Sequence, residues 1–229
     1  MMDIHAFSHT CGISIVNPDL FIEAMTHRSY LNENKNHKHP HNERLEFLGD
    51  AVLELIVTEY LFQNFHNPEG ELTAWRAALV NGEMLAVVAH EIGIESFLLM
   101  SRGESKDTGK ARNYLLANAI EAIIGAIYLD QGYDAAKEFI TMHIIKHINE
   151  ILEKKLYLDP KSFFQEKAQE AVNVTPHYKL ISESGPDHDR VFIVGVYLSD
   201  EKVAEGSGRS KQEAQREAAR IALEVKKWL

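Results

Sequence analysis

The run HNERLEFLGDAVLELIVTEYLF, His41 to Phe62, constrains the fold of this chain more than any other stretch. Leu45, Phe47, Leu48, Val52, Leu55 and Ile56 recur at helical spacing, which predicts a helix that buries them. The same run carries Glu43, Glu46 and Asp50. Offsets of three and four residues put Glu46 and Asp50 on one stripe, with Glu43 a turn earlier. Carboxylates at the edge of a packed core repel one another and lose hydration, so they stay ionised when a cation joins them. Clustered oxygen donors suit a hard cation such as magnesium.

A second helical run, LLANAIEAIIGAIYLD, Leu115 to Asp130, places Asn118 and Glu121 three residues apart and hence on one face. Apolar residues surround this pair as they surround Glu46 and Asp50. On spacing alone two readings stand. The two helices share one cation, or the carboxylates cap neighbouring helices and pair with Arg44, Arg76 or Arg112.

The chain has 229 residues, enough for one large domain or two small ones. The single cysteine, Cys11, excludes an internal disulfide framework and fits a reducing compartment. It reads as a small core residue, since no cysteine motif surrounds it. No apolar run approaches the roughly 20 residues of a membrane span, and the N-terminus lacks a secretory pattern. The expectation is a soluble, cytoplasmic protein without a membrane partner. Net charge is −10, which argues naively against nucleic acid. The acidity is uneven, however. Residues 1–158 hold 13 Lys+Arg against 22 Asp+Glu, and residues 159–229 hold 11 against 12. The second part can therefore present a basic face, and a bound metal would offset the first.

Up to about Leu158 the pattern is almost wholly helical. Asn17–Pro18–Asp19 opens one helix, proline marking its start. The polar, His-rich stretch 32–42 is a loop, and Asn42 is a plausible N-cap for the helix that follows. His37, His39 and His41 lie there without a cysteine or a clear fourth ligand, so the loop reads as solvated, not as a zinc site. Residues 72–90 return to helical spacing, 101–112 form a charged loop, and 135–156 read as one long amphipathic helix. Leu158–Asp159–Pro160 marks a boundary. Beyond it come a helix at 161–172, strands at 178–182, 190–198 and, more weakly, 202–206, and an Ala-rich helix over 210–228. The division predicted is a first domain over 1–155, a linker over 156–160 and an α-β-β-β-α module over 161–229.

HNERLEFLGDAV at His41–Val52 resembles the signature of the ribonuclease III family, and THRSY at Thr26–Tyr30 and EAIIGAIYLD at Glu121–Asp130 resemble further family motifs in the expected order. The second module resembles the family's double-stranded-RNA-binding domain. The resemblance covers essentially the whole chain. It implies two domains: an all-α endonuclease domain, then a small α+β double-stranded-RNA-binding domain. It implies a Mg²⁺-dependent hydrolase, with Mn²⁺ able to substitute, that cuts double-stranded RNA to 5′-phosphate and 3′-hydroxyl ends. Ribosomal and messenger RNA precursors are the substrates it suggests. By the same resemblance Glu46, Asp50, Asn118 and Glu121 match metal-binding positions, with Asp50 and Glu121 closest to the chemistry. Glu43 and Glu69 match outer acidic positions that organise metal-bound water. Asn118 stands where the family often has Asp; its carbonyl can ligate Mg²⁺ or hold a ligand water but adds no charge. One acidic cluster serves one strand, so cutting both implies the family's two-fold homodimer, with Phe47 facing the partner.

A-form RNA is recognised by shape, across its minor groove and through its phosphates. Gln165 and Gln169 offer polar groups on a helix. Gly185–Pro186–Asp187–His188 resembles the family's GPxH loop, with His188 entering the next minor groove. Arg209 and Lys211 sit at a helix start, where backbone N–H groups add positive potential. Gln212 and Gln215 occupy positions where the family often has further basic residues. The phosphate patch is therefore lighter than usual, and affinity should depend less steeply on salt.

Overall fold

The structure, a computed structural model, describes residues 2–106, 108–186 and 190–228. It separates into two compact units, residues 1–157 and 158–229.

The first unit is helical: α1 (Ile4–Cys11), α2 (Pro18–Ala24), α3 (Arg28–Glu33), α4 (Glu43–Asn64), α5 (Glu69–Val80), α6 (Gly82–Ile92), α7 (Lys110–Gln131), α8 (Tyr133–His143) and α9 (Ile148–Glu153), with short 3₁₀ turns between some of them. The two 22-residue helices α4 and α7 form its centre. α7 is buried on nearly every side through Leu116, Ala119, Ile120, Ala122, Ile123, Ile124 and Ala126, as expected of a helix packed all round. Two glycines set the approach. A Cβ on Gly49 would stand 1.7 Å from the Glu121 carbonyl oxygen, and one on Gly125 would stand 2.3 Å from the Leu45 carbonyl oxygen. The helices thus cross backbone on backbone, which only hydrogen at those positions permits. The Asp130 carboxylate accepts the N–H groups of Val16 at 2.9 Å and Asn17 at 2.8 Å, tying the end of α7 to the start of α2.

Several expectations are corrected. Residues 72–90 form two helices, because Asn81 is extended (ψ 156°) and its side chain accepts the Met84 N–H at 2.9 Å, starting a new helix. The stretch 135–156 is likewise broken: α8 ends at His143, Ile145–His147 is a 3₁₀ turn, and α9 follows. Consecutive β-branched Ile144 and Ile145 are both buried there, so packing outweighs helical continuity. Asn42 precedes α4 but makes no side-chain cap; it is buried and donates Nδ2 to the Ala24 carbonyl at 3.2 Å. Phe47 and Leu55 are not in this unit's core, being 82% and 59% exposed.

The second unit runs α10 (Pro160–Val172), β1 (His177–Ser184), β2 (Val191–Leu198), β3 (Glu201–Gly208), α11 (Lys211–Lys226). The sheet is antiparallel in the order β1-β2-β3, with Tyr178 opposite Val196 and Val196 opposite Ala204. Phe164, Val196, Leu198, Ala218 and Leu223 fill the space between sheet and helices. α11 lies close because it presents alanines to Gly206, where a Cβ would come 2.1 Å from the Ala218 nitrogen. β2 keeps within its expected bounds, whereas β1 and β3 run beyond theirs to eight residues each, because ladder pairing continues through polar positions such as Ser184, Glu201 and Ser207.

Candidate active site

The α4–α7 crossing decides which acidic groups meet. Glu46 and Asp50 lie on α4, and Asn118 and Glu121 on α7; the backbone contact at Gly49 and Glu121 brings the two pairs to one place. Glu46 and Glu121 are half-buried, while Asp50 is exposed. The Glu121 carboxyl is pushed up to about 7, first by burial and then by the charges of Asp50 and Glu46. Glu46 is also raised, by burial and then by Glu43; a hydrogen bond from Asn118 and the nearby His27 act the other way. These groups therefore feel one another, and the cluster is short of positive charge.

The alternative of arginine pairing does not apply. Arg76 donates to the Thr58 hydroxyl at 3.0 Å and Arg112 to Glu95 at 2.8 Å. Among the described residues Arg44 forms no ion pair with the cluster. Glu43, at the start of α4, is exposed and faces Arg28 at 3.5 Å and His41 at 3.8 Å. Glu69 is not brought to the cluster. It opens α5 beyond the far end of α4, roughly 27 Å of helical rise from Glu46. There it lines an apolar cavity of about 710 Å³ with Leu61, Phe62, Phe65 and Leu72.

One neighbour escaped sequence reasoning. His27 Nδ1 stands 2.9 Å from both the Ser29 hydroxyl and the Glu104 carboxylate, and Ser29 also donates to Glu104. The backbone next to it accepts the Asn42 N–H at 2.9 Å through Thr26, so the cluster is joined to the start of α4. No local spacing signals this, since His27 and Glu104 are 77 residues apart.

Among the described residues no three His, Cys, Asp or Glu side chains stand close enough to hold a metal ion as they are placed. The donor set nonetheless fits a hard divalent cation in chemistry: carboxylates and one amide oxygen, gathered where negative charge is uncompensated.

In the second unit Gln165 and Gln169 are exposed on α10 and line one open groove with Ser162, Glu166 and Glu170. Gln169 also donates to Asn173. Ser210 caps α11 by accepting the Glu213 N–H at 3.2 Å, and the Arg209 N–H goes to Glu213 at 2.8 Å. Lys211 Nζ lies 5.9 Å from the centre of the Phe192 ring. His188 lies outside the described residues.

The family model described as ribonuclease-III-like matches residues 17–148, and the one for the double-stranded RNA binding motif matches residues 160–226. A helical nuclease domain joined to a duplex-RNA-binding module defines the class: an endonuclease acting on RNA. Ribonuclease 3 of Borreliella burgdorferi is 42% identical over 96% of this chain and 89% of its own length. Ribonuclease 3 of Carboxydothermus hydrogenoformans is 43% identical over 94% and 92%. A solved nuclease domain of ribonuclease III from Campylobacter jejuni, with structural flexibility in a region involved in dimer formation, matches with a TM-score of 0.57. That match is 41% identical and covers 63% of this chain and 97% of that one. The chain belongs to the ribonuclease III family. Among its described residues no helix is long and apolar enough to cross a membrane.

Proposed function

We propose that this protein is a Mg²⁺-dependent endonuclease that hydrolyses double-stranded RNA to 5′-phosphate and 3′-hydroxyl ends, working as a two-fold homodimer. The observation that carries this is the meeting of Glu46 and Asp50 with Glu121 across the α4–α7 crossing, with the Glu121 carboxyl raised to about 7. Ribosomal and other structured RNA precursors, messenger RNAs included, are the substrates proposed, and the cytoplasm the compartment. Mn²⁺ is proposed as a substitute ion.

Glu46, Asp50, Glu121 and the Asn118 amide oxygen would hold the ion, with Asp50 and Glu121 nearest the reacting phosphate. When bound, a divalent ion supplies a water of lowered pKa and stabilises charge on the phosphate oxygens. The residues do the rest. Glu121, half-buried and crowded by like charge, would give up its proton where a cation is held beside it. The Asn118 amide, which favours the ionised Glu46, would orient that carboxylate through its N–H and offer its oxygen to the ion. Glu43 sits at the outer edge, where it can order water.

The exposed stripe of Phe47, Leu55 and Phe62 supports the dimer. Two copies of α4 packed antiparallel about Leu55 would set Phe47 of one against the apolar cavity beside Phe62 of the other. The same pairing would bring the partner's Glu69 to this acidic cluster, giving it the outer role that it lacks within one chain. Gln165, Gln169, His188, Arg209 and Lys211 are proposed to contact the duplex.

The test is incubation of the purified protein with long duplex RNA and Mg²⁺. Short duplex products with 5′-phosphate ends are expected from the native chain and not from Glu121→Gln. Equal cleavage by both would refute the assignment.

A further inference from the structure

Most cations of the second unit are already neutralised. Lys167, Lys202, Lys226, Arg216 and Arg220 each stand on a carboxylate. Among the described residues Lys161, Lys179, Lys211 and Lys227 do not, and of these Lys161 and Lys211 reach the face of α11. The Lys161 ammonium donates to Gln215 Oε1 at 2.7 Å and lies 5.1 Å from the centre of the Tyr178 ring, and both partners are neutral. Asp159, two residues away, is engaged by the Ser162 N–H at 3.0 Å and by Arg216 at 3.7 Å.

Gln215 follows Lys211 by four residues on α11, so the two share one stripe of the helix surface. Lys161 starts from the first turn of α10, a different helix, yet its ammonium ends on that stripe. Its charge stands 2.7 Å from the neutral Gln215 side chain, at a position where the family resemblance implies that a basic residue is common. The lighter phosphate patch read from Gln212 and Gln215 is thus supplemented from outside α11.

We propose that Lys161 is a phosphate-binding residue for duplex RNA, delivering from α10 onto α11 the positive charge that Gln215 lacks. An ammonium has three donors; one is used by Gln215, and the others are available to phosphate oxygens. The side chain is already ordered. Tyr178, paired in the sheet opposite Val196, faces the ammonium with its ring, and Gln215 accepts a hydrogen bond from it. Less rotamer entropy is then lost on binding than for a free surface lysine. Lys211, steadied over Phe192, would supply the neighbouring contact one turn away.

This rests on the reading of the second unit as a duplex-RNA binder. The experiment measures affinity of the full chain, in metal-free buffer, for two unrelated RNA duplexes of at least about 16 base pairs over a range of KCl. Lys161→Met keeps an unbranched side chain of similar length and removes the charge. It should weaken binding to both duplexes alike and reduce the slope of log K against log salt by about 1 for each module engaged. Lys161→Arg should retain the native slope, and Lys161→Met with Gln215→Lys should regain it. Native binding with an unchanged slope in Lys161→Met overturns the proposal alone, as does failure of the double variant to recover. Absence of duplex binding by the native chain overturns the reading beneath it as well. A Lys161→Met chain with lower thermal stability is judged by the Arg variant and by the double variant, which keep a charge there.

Discussion

At the residue scale, Glu121 is held in a position that its own charge disfavours. Burial and two neighbouring carboxylates push its carboxyl up to about 7, so an ionised Glu121 destabilises the metal-free protein. Glu121→Gln should therefore raise the melting temperature in chelator-treated buffer while lowering cleavage in Mg²⁺ by at least about 100-fold. Differential scanning calorimetry and a gel assay read the two effects; a lower melting temperature would contradict the account. Cys11 offers a second case. It is fully buried, and burial pushes its thiol from 9.0 up to about 12. The native chain should react with a thiol reagent at pH 8 only as fast as it opens, and stoichiometrically once unfolded. The sign of its pH linkage follows. The unfolded chain releases the proton first, so this contribution is intact below pH 9 and is lost progressively as pH rises from 9 towards 12. Urea unfolding at stepped pH measures it.

At the scale of elements, the α4–α7 crossing does more than pack. Helices in contact normally keep axes 8–10 Å apart, held off by side chains. Here Gly49 and Gly125 remove the spacer, and the same contact aligns Glu46 and Asp50 with Glu121. Gly49→Ala places a methyl against the Glu121 carbonyl and must push the helices apart. A loss of about 3 kcal/mol is expected, with a fall in melting temperature of roughly 10 °C and loss of cleavage. Gly70→Ala, whose Cβ would meet nothing within 4 Å, is the control and should change little. Much of this level was legible in advance. The periodicity of Leu45–Ile56 and Leu115–Ile127 marks both long helices. The breaks at Asn81 and Ile144 were not legible, because each depends on a cap or on packing against other helices, neither of which leaves a local period.

At the scale of the whole molecule, the exposed Phe47, at 82%, is a large apolar side chain in contact with water. Sequence periodicity assigned it to a core, and in a single chain it is in none. A two-fold partner would cover it and also bring together the two acidic clusters that cutting both strands requires. Phe47→Glu should convert a dimer to monomer in sedimentation velocity at micromolar concentration, weakening association by at least about tenfold. Unchanged sedimentation would remove Phe47 from the interface. The uneven charge also acts at this scale. Residues 1–158 carry most of the excess acid, whereas residues 159–229 are close to neutral, so on the proposed roles of Lys161 and Lys211 RNA affinity is expected to follow the placement of such cations and not their total.

The sequence by itself determined the chemistry on offer: carboxylates at offsets of three and four on apolar helices, an amide at Asn118, and an α-β-β-β-α module after Pro160. These are local properties, since helical and strand periods act over a few residues. Only the tertiary structure decided that Glu121 meets Glu46 and Asp50, that Glu69 does not, that Phe47 faces outward, and that Lys161 reaches Gln215. Each of these depends on backbone approach or residual exposure between segments distant in the chain, and the period of a single helix carries no record of its neighbours.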